Sequence, residues 1–483
     1  MTSTRPVRSQ PPAVPGGTAA GPPARAGWLL AALLGATFLG TVSNNIVNVP
    51  LREITDGFAA PVSQGVLVAS ATVLVLAVAM PTTGWVSDRL GRRRTLVLAM
   101  SVLLAGTLGA AMAPTLPLLV ASRALQGIGC ALVPTAVMGT LARLWPSSRR
   151  NRVMGAWGAA NGIGQAVGPP IGGLLADAFG WRSIFWLLLP ITVGVLVLAA
   201  VMMPRDTAQR VPIDVPAIGS LTLGVAALMT AITVAPQDGV PGWLPAVAAA
   251  VGLIALGVFV ATGLRRPDGY IDPRLLVETR WLRSAVGVFV QQVVLFSTLV
   301  AVPLHLTGVV ELSQTATGLL VFLLPVVWAT SAPLVGRLAD RIGPRTVLRT
   351  GLLVLLASSV SLAVLLGLRS TAVAAFGAVL VVAGLGVALV QTPSLGGATR
   401  SPAGQKGAGL GLFNMMRFVG ASVGAAAVAA AYPAHLGGLF GGCAVVALLG
   451  LAVSFVGREV PDPPPAAPAP PAAPASPTPP PAT

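Results

Sequence analysis

The chain has 483 residues, of which only 9% are charged and 54% are hydrophobic, with a mean hydropathy of +0.84, whereas an ordinary globular chain is about 25% charged. This composition excludes a soluble globular domain and describes an integral membrane protein. The formal net charge of +16 does not describe a nucleic-acid surface, because every basic residue except Lys406 is Arg and nearly all lie between apolar runs, where they report topology.

A helix needs roughly 20 apolar residues to cross about 30 Å of hydrocarbon. That ruler predicts fourteen spans, at 27–50, 62–86, 95–113, 116–142, 153–177, 182–203, 213–235, 243–263, 283–308, 315–337, 346–367, 371–398, 407–431 and 434–456. Residues 1–26 and 457–483 are rich in Pro, Ala and Gly and read as cytoplasmic tails that cannot bury a core. The first apolar run is too long for a signal-peptide core and reads as a retained helix. With the N-terminus inside, only Arg52, Arg182 and Arg369 fall in outside loops and Arg123 and Arg417 within spans. The remaining basic residues lie inside, so both termini are expected in the cytoplasm. Cys130 and Cys443 fall within spans as packing material and suggest neither a disulfide framework nor a metal site. Trp28, Trp145, Trp181, Trp243 and Trp281 lie near span ends and read as interfacial belts.

In chain order, the first span carries TVSNNIVNVPLREI, with Asn44, Asn45 and Asn48; Asn44 and Asn48, four apart, share a helix face. Between the second and third spans stands GWVSDRLGRRR, Gly84 to Arg94. Its glycine lets helix ends approach, and Asp88, followed by Arg89, can accept backbone N–H or Arg bonds as a latch between neighbouring helices. The fourth span holds SRALQGIG, with Arg123 about seven residues from the outer end; an intramembrane Arg is costly and marks function.

The fifth span reads GAWGAANGIGQAVGPPIGG, with Gly155, Gly164, Gly168, Pro169, Gly172 and Gly173. Glycines at this spacing make a smooth packing face, and Pro169 removes a donor and permits a bend, so this helix is expected to serve as a hinge between halves. It also carries Asn161 and Gln165, with Asp177 near its outer end. The ninth span contributes Gln291, Gln292 and His305, the last either a proton site or an interfacial polar residue. The tenth contributes Trp328 and is followed by a second charged turn, GRLADRIGPR, with Asp340; the thirteenth contributes Asn414 and Arg417. For each polar residue inside a span, substrate contact and a plain interhelical hydrogen bond both stand open.

The second charged turn is part of a longer repeat. An offset of 252 aligns Gly84 with Gly336, Asp88 with Asp340 and Gly91 with Gly343; 253 aligns Asn161 with Asn414, and 257 aligns QGIGCALVPT with AGLGVALVQT. The chain is therefore expected to contain two six-helix halves, 27–203 and 283–456, joined through an inserted pair of helices in 204–282. Parallel repeats of this kind build major facilitator transporters.

Here the sequence resembles that superfamily, and specifically its 14-helix drug:proton antiporter branch, over roughly residues 27 to 456. GWVSDRLGRRRT is similar to the signature between helices 2 and 3, SRALQGIG to that of proton-coupled members, and Gly155 to Gly173 to that of drug and metabolite antiporters; DAFGWRSIFWLLLP extends the likeness. The resemblance implies an all-α major facilitator fold that exports amphipathic drugs or antibiotics across the cytoplasmic membrane by alternating access, in exchange for protons. It implies a role in proton movement for Arg123. The branch usually carries an Asp in helix 1, where this chain has Ser43.

None of the 14 acidic residues sits at the centre of a span, which leaves Asp88, Asp177 and His305 as titratable candidates for coupling. A cavity without buried negative charge suits neutral or weakly acidic amphipathic compounds better than dications. The expected partners are such a small substrate, protons and membrane lipid, with no nucleic acid, and the expected state is a monomer. With only His305 and His435, and no HExxH, Cys–His spacing, Walker loop or acid pair, the chain reads as a non-enzyme with no cofactor or metal, driven by an ion gradient. Two alternatives remain: a dedicated exporter of one metabolite or self-made antibiotic with another coupling ion, and a non-transporting membrane sensor or partner protein.

Overall fold

The computed structural model describes residues 26–47, 51–60, 62–145, 147–205, 214–235, 240–266, 269, 271–432 and 435–457. The predicted tails fall almost wholly outside this set, as does Asn48. Fourteen long helices follow in chain order: α1 (Ala26–Asn45), α2 (Val62–Leu90), α3 (Arg92–Ala111), α4 (Leu116–Leu144), α5 (Ser147–Phe179), α6 (Arg182–Met202), α7 (Val215–Val234), α8 (Trp243–Arg265), α9 (Thr279–Gly308), α10 (Gln314–Ile342), α11 (Pro344–Gly367), α12 (Val373–Arg400), α13 (Gly407–Ala431) and α14 (Leu436–Ser454). Short helices at Leu51–Gly57 and Pro273–Leu276 and a 3-10 turn at Ala403–Gln405 complete the described structure. A chain in hydrocarbon must satisfy its backbone internally, and an all-helical bundle does so. Among the described residues, twelve of these helices are long and apolar enough to cross a membrane; α2 and α5 are the other two long ones.

The charged turns are not turns. α2 continues through Asp88 to Leu90 and α3 starts at Arg92, so the chain reverses on Gly91 alone. α10 likewise runs to Ile342, and Gly343 alone separates it from α11. Gly91 has φ 80° and ψ 154°, Gly343 φ 91° and ψ 140°, a region open essentially to glycine alone. The duplication thus extends to backbone dihedrals.

It extends to packing as well. A Cβ at Gly127 in α4 would lie 2.6 Å from the Thr72 carbonyl oxygen of α2, and one at Gly384 in α12 would lie 2.5 Å from the Leu324 carbonyl oxygen of α10. The repeat offsets of 257 and 252 carry each member of the first pair onto the second. Within α1–α6, α4 packs on α2 and α3, α1 on α5, and α3 on α6; within α9–α14, α12 packs on α10 and α11, α9 on α13, and α11 on α14. The inserted helices α7 and α8 pack on each other, and α7 also leans on α2 and α13.

The halves meet chiefly along two helix pairs, α5 with α10 and α2 with α13, with further contacts of α12 with α5 and of α13 with α4. The hydrophobic core of the first half also takes in Ala408, Leu410, Leu412 and Phe413 from the start of α13 and Ala285 and Val288 from α9. Most lie toward the arginine-rich end of the bundle, the end read as cytoplasmic, where the halves close against each other.

The aromatic belt is smaller than predicted. Trp28 and Trp243 are exposed, whereas Trp181 and Trp281 are buried. Trp181 packs between Phe58 and Phe185 with the Arg182 guanidinium 4.2 Å from its ring, and Trp281 donates to the Gly409 carbonyl. A Trp at a span end faces lipid only where no neighbouring helix covers it.

Candidate functional site

At the arginine-rich end the two repeated segments each reach across to the opposite half. In the first copy Gly84 lies so close to the backbone of Gly407 and Ala408 that any Cβ would overlap it. One turn on, Asp88 accepts the Gly407 N–H with both carboxylate oxygens, at 3.0 and 2.9 Å. Gly407 is the first residue of α13, so the carboxylate sits where unpaired N–H groups and the helix dipole favour negative charge. Arg89 turns aside, its guanidinium 5.3 Å from the Trp85 ring.

In the second copy Gly336 packs on the backbone of α5, where a Cβ would lie 2.6 Å from the Asn151 carbonyl oxygen. Asp340 accepts from the Asn151 side-chain amide at 2.9 Å, and Arg400 at the end of α12 donates to the Asn151 Oδ1, also at 2.9 Å. The other Asp340 oxygen is buried without a partner. Both copies bridge the halves, but the first grips a helix N-terminus while the second grips a side chain.

Arg123 is fully buried in α4. It donates from Nη1 to the Ser43 carbonyl (2.7 Å) and to Gln126 Oε1 (2.7 Å), from Nε to the Val68 carbonyl (3.1 Å), and from Nη2 to the Asn44 carbonyl (3.4 Å). Gln126 is held in turn by Thr107, to which its amide donates at 2.8 Å. Every partner is neutral. Ser43 and Asn44 are among the last residues of α1, whose final carbonyls lack intrahelical donors, so Arg123 caps α1 with a charge of the favourable sign. The Ser43 hydroxyl and the Asn44 Oδ1 are buried without partners. Asn45 donates to the Thr41 carbonyl within α1.

The glycine signature of α5 divides between two neighbours. Gly155 faces the other half, where a Cβ would lie 2.5 Å from the Ala332 carbonyl oxygen of α10. Gly164 and Gly168 face α1 at Thr41 and Asn45, and Gly172 faces Ile46, just beyond α1. Pro169 and Gly173 are half-buried, and α5 continues unbroken through Pro169 and Pro170. Most of the signature therefore fastens α5 to its own half, and only its first glycine touches the opposite one.

Between the latches and the α1 contacts, α5 presents polar and aromatic side chains to the other half. Trp157 is fully buried with Arg417 of α13 beside it, the guanidinium 5.0 Å from the ring centroid. Arg417 donates to Asn414 Oδ1 at 3.3 Å, and Asn414 donates to the Leu410 carbonyl and to the Met138 sulfur. One helical turn along from Trp157, Asn161 accepts from Thr41 and donates to the Trp157 carbonyl. On the adjacent face, a Cβ at Gly158 would lie 3.9 Å from the Trp328 Nε1 of α10, and a Cβ at Gly162 would lie 3.2 Å from its ring. The Nε of Arg417 and the Nε1 of both Trp157 and Trp328 are buried donors without acceptors.

The remaining predicted residues lie elsewhere. Gln291 donates to Gln292 at 2.9 Å within α9, Gln165 is half-buried, and Asp177 is exposed at the far end of α5. His305, buried near the end of α9, has Nε2 3.0 Å from the Ser370 carbonyl and its ring against Phe376. Trp157, Asn151 and Arg400 were not among the predicted residues. Trp157 was within reach, being four residues before Asn161 and so on the same helix face; nothing local marks Asn151 as the partner of a residue 189 positions away. Among the described residues no cluster of three or more His, Cys, Asp or Glu side chains could hold a metal.

Comparison with known proteins adds independent findings. The chain is 28% identical to the lincomycin resistance protein LmrB of Listeria innocua over 327 residues, covering 68% of this chain and 69% of that protein. It is 29% identical to the multidrug resistance protein Stp of Mycobacterium tuberculosis over 394 residues, covering 81% of this chain and 73% of that one. Among solved structures, the proton:xylose symporter XylE aligns with a TM-score of 0.64 at 15% identity over 88% of this chain and 94% of its own. The human organic anion transporter MFSD10 aligns with a TM-score of 0.62 at 18% identity over 88% of this chain and 99% of its own. At such identities the two structures speak to the fold alone. Residues 31–425, and again 284–482, match the Major Facilitator Superfamily, and with the duplicated halves and paired interface helices described above, the chain belongs to that superfamily as a multi-pass membrane protein.

Proposed function

We propose that this protein is a secondary active efflux transporter that exports neutral or weakly acidic amphipathic compounds across the cytoplasmic membrane in exchange for protons. It works as a monomer with fourteen spans and both termini in the cytoplasm. The observation that carries the proposal is the pair of latches: Asp88 on Gly407 and Asp340 on Asn151 tie residues 27–203 to 283–456 at one end only. A bundle closed at one end by two contacts, one from each copy of the repeat, is built to open there when both release, which is what rocking of two halves about a midplane site requires. The relatives that bear resistance names support export rather than uptake, and the concentration of arginines at the latched end supports its cytoplasmic location.

The residues proposed to meet substrate are those gathered between the halves: Asn161, Asn414, Arg417 and Trp328. The absence of any acid from the middle of the spans supports neutral or weakly acidic compounds, since an unpaired buried dication is costly. Asp88 and Asp340 are the carboxylates whose protonation would loosen the sealed end. The test is the pH gradient across everted vesicles containing the protein, followed as neutral, acidic and cationic amphiphiles are added in turn. Collapse on addition of neutral or acidic compounds, absent with Arg123→Ala, is the expected result. A gradient that never responds although the compounds bind would refute proton exchange.

A further inference from the structure

Among the described residues Arg123 and Arg417 are both buried inside spans with only neutral partners, and they differ in what they lack. Arg123 spends its donors on three carbonyls and Gln126. Arg417 is only 4% exposed, yet its partners are one amide oxygen and the face of Trp157. Its Nε, the Trp157 Nε1 and the Trp328 Nε1 are all donors, all buried and all without an acceptor. The Arg417 Nε and the Trp157 Nε1 beside it are unsatisfied donors at a fixed positive charge, which calls for a ligand that brings acceptors and negative charge.

Depth agrees with this. Arg417 is the eleventh residue of α13 and Trp157 the eleventh of α5, and both helices start at the sealed end. At about 1.5 Å per residue both lie roughly 15 Å along their helices from that end, at the same level of the bundle. They also stand on opposite halves, so a ligand between them would be felt by both.

Resting on the export reading above, we infer that Arg417, with Trp157 beside it, is the recognition point for an oxyanionic head group, such as a carboxylate or phenolate, on an amphipathic substrate. The guanidinium supplies charge and parallel N–H donors, and the indole supplies an aromatic wall and a further donor. In the sealed conformation these donors are closed off, and separation of the halves opens them to the ligand. An outward-moving monoanion also travels down an inside-negative potential, which alone supports roughly a fifty-fold gradient per 100 mV. The potential therefore adds its drive to that of any proton exchanged.

The full chain reconstituted in proteoliposomes tests this with two dyes that share a xanthene ring, anionic fluorescein and cationic rhodamine 6G. Under an inside-positive potassium diffusion potential with no pH gradient, the wild type is expected to accumulate fluorescein. Arg417→Gln should slow fluorescein transport at least ten-fold while leaving the slower entry of rhodamine 6G, followed under the opposite potential, within about two-fold. Arg417→Lys should recover part of the loss, and Trp157→Phe, which keeps the ring but removes the donor, should cost several-fold for fluorescein alone. Unchanged fluorescein transport in Arg417→Gln overturns the assignment, as does an equal loss of both dyes in all three variants. A wild type that moves rhodamine 6G but not fluorescein overturns the assignment and leaves export standing, whereas one that moves neither dye, in this or any imposed gradient, overturns export itself.

Discussion

Arg123 and Arg417 are the same residue type at comparable burial in opposite halves, yet the first is saturated and the second is not. Arg123 gathers backbone carbonyls from α1 and α2 around a helix in its own half, whereas Arg417 faces an aromatic ring across the interface. The difference teaches that a buried charge can be a structural cap in one place and, on the proposal above, a recognition point in another. Burial and residue type are equal in the two cases, and only the count of acceptors separates them.

The largest expected contrast follows directly. Arg123→Met leaves the Ser43 carbonyl and the Gln126 side-chain oxygen without their donor, at roughly 1–3 kcal/mol for each buried unsatisfied group. Its melting temperature in detergent should fall by many degrees, and transport should be lost. Arg417→Met strips only Asn414 of a donor and removes an unpartnered one, so stability should stay within about 1 kcal/mol of wild type or rise. Equal losses of stability would break the comparison.

A second contrast separates glycines that join the halves from those that do not. Gly84→Ala places a methyl on the Ala408 backbone, and overpacking of this kind costs about 1–3 kcal/mol. That cost falls on the sealed state, so labelling of a cysteine introduced at the arginine-rich end should rise about ten-fold. Gly168→Ala meets Asn45 Cβ at an ordinary 3.4 Å and should leave the labelling unchanged.

The two latches give a smaller difference. Asp88→Asn removes a charge from the start of α13, worth up to about 2 kcal/mol in a partly buried setting, and vesicle transport should fall about ten-fold. Asp340→Asn keeps an oxygen able to accept from Asn151 and should fall less than about three-fold. The smallest effect is expected at Asp177, exposed at the far end of α5: Asp177→Asn should transport within two-fold of wild type, and a larger loss would return it to the coupling route.

Much of this was legible beforehand. The spans, the duplication and the sites of close packing follow from apolar run length and from small residues at helical spacing, which are local properties that the bilayer enforces. Arg123 was recognisable as unusual because hydrocarbon makes any intramembrane charge unusual. Its role as the cap of α1 was not recognisable, because its acceptors are backbone carbonyls, and carbonyls are identical in every residue. The α5 signature was read as a hinge between halves, but which neighbour each glycine meets depends on how far α5 rotates about its axis, and α1 takes most of that face.

The amino-acid order was thus sufficient for the number of the long helices and their two-fold repetition, whereas the reversals on Gly91 and Gly343 alone were seen only in the fold. Which contacts cross between the halves came from the fold: Asp88 on Gly407, Asp340 on Asn151 and Arg417 on Trp157 join residues 319, 189 and 260 positions apart. The physical reason is range. Hydropathy and backbone geometry act over one or two helical turns and are written into neighbouring residues, whereas the pairing of a donor with an acceptor across two halves depends on the rotation and depth of whole helices, which only their mutual packing fixes.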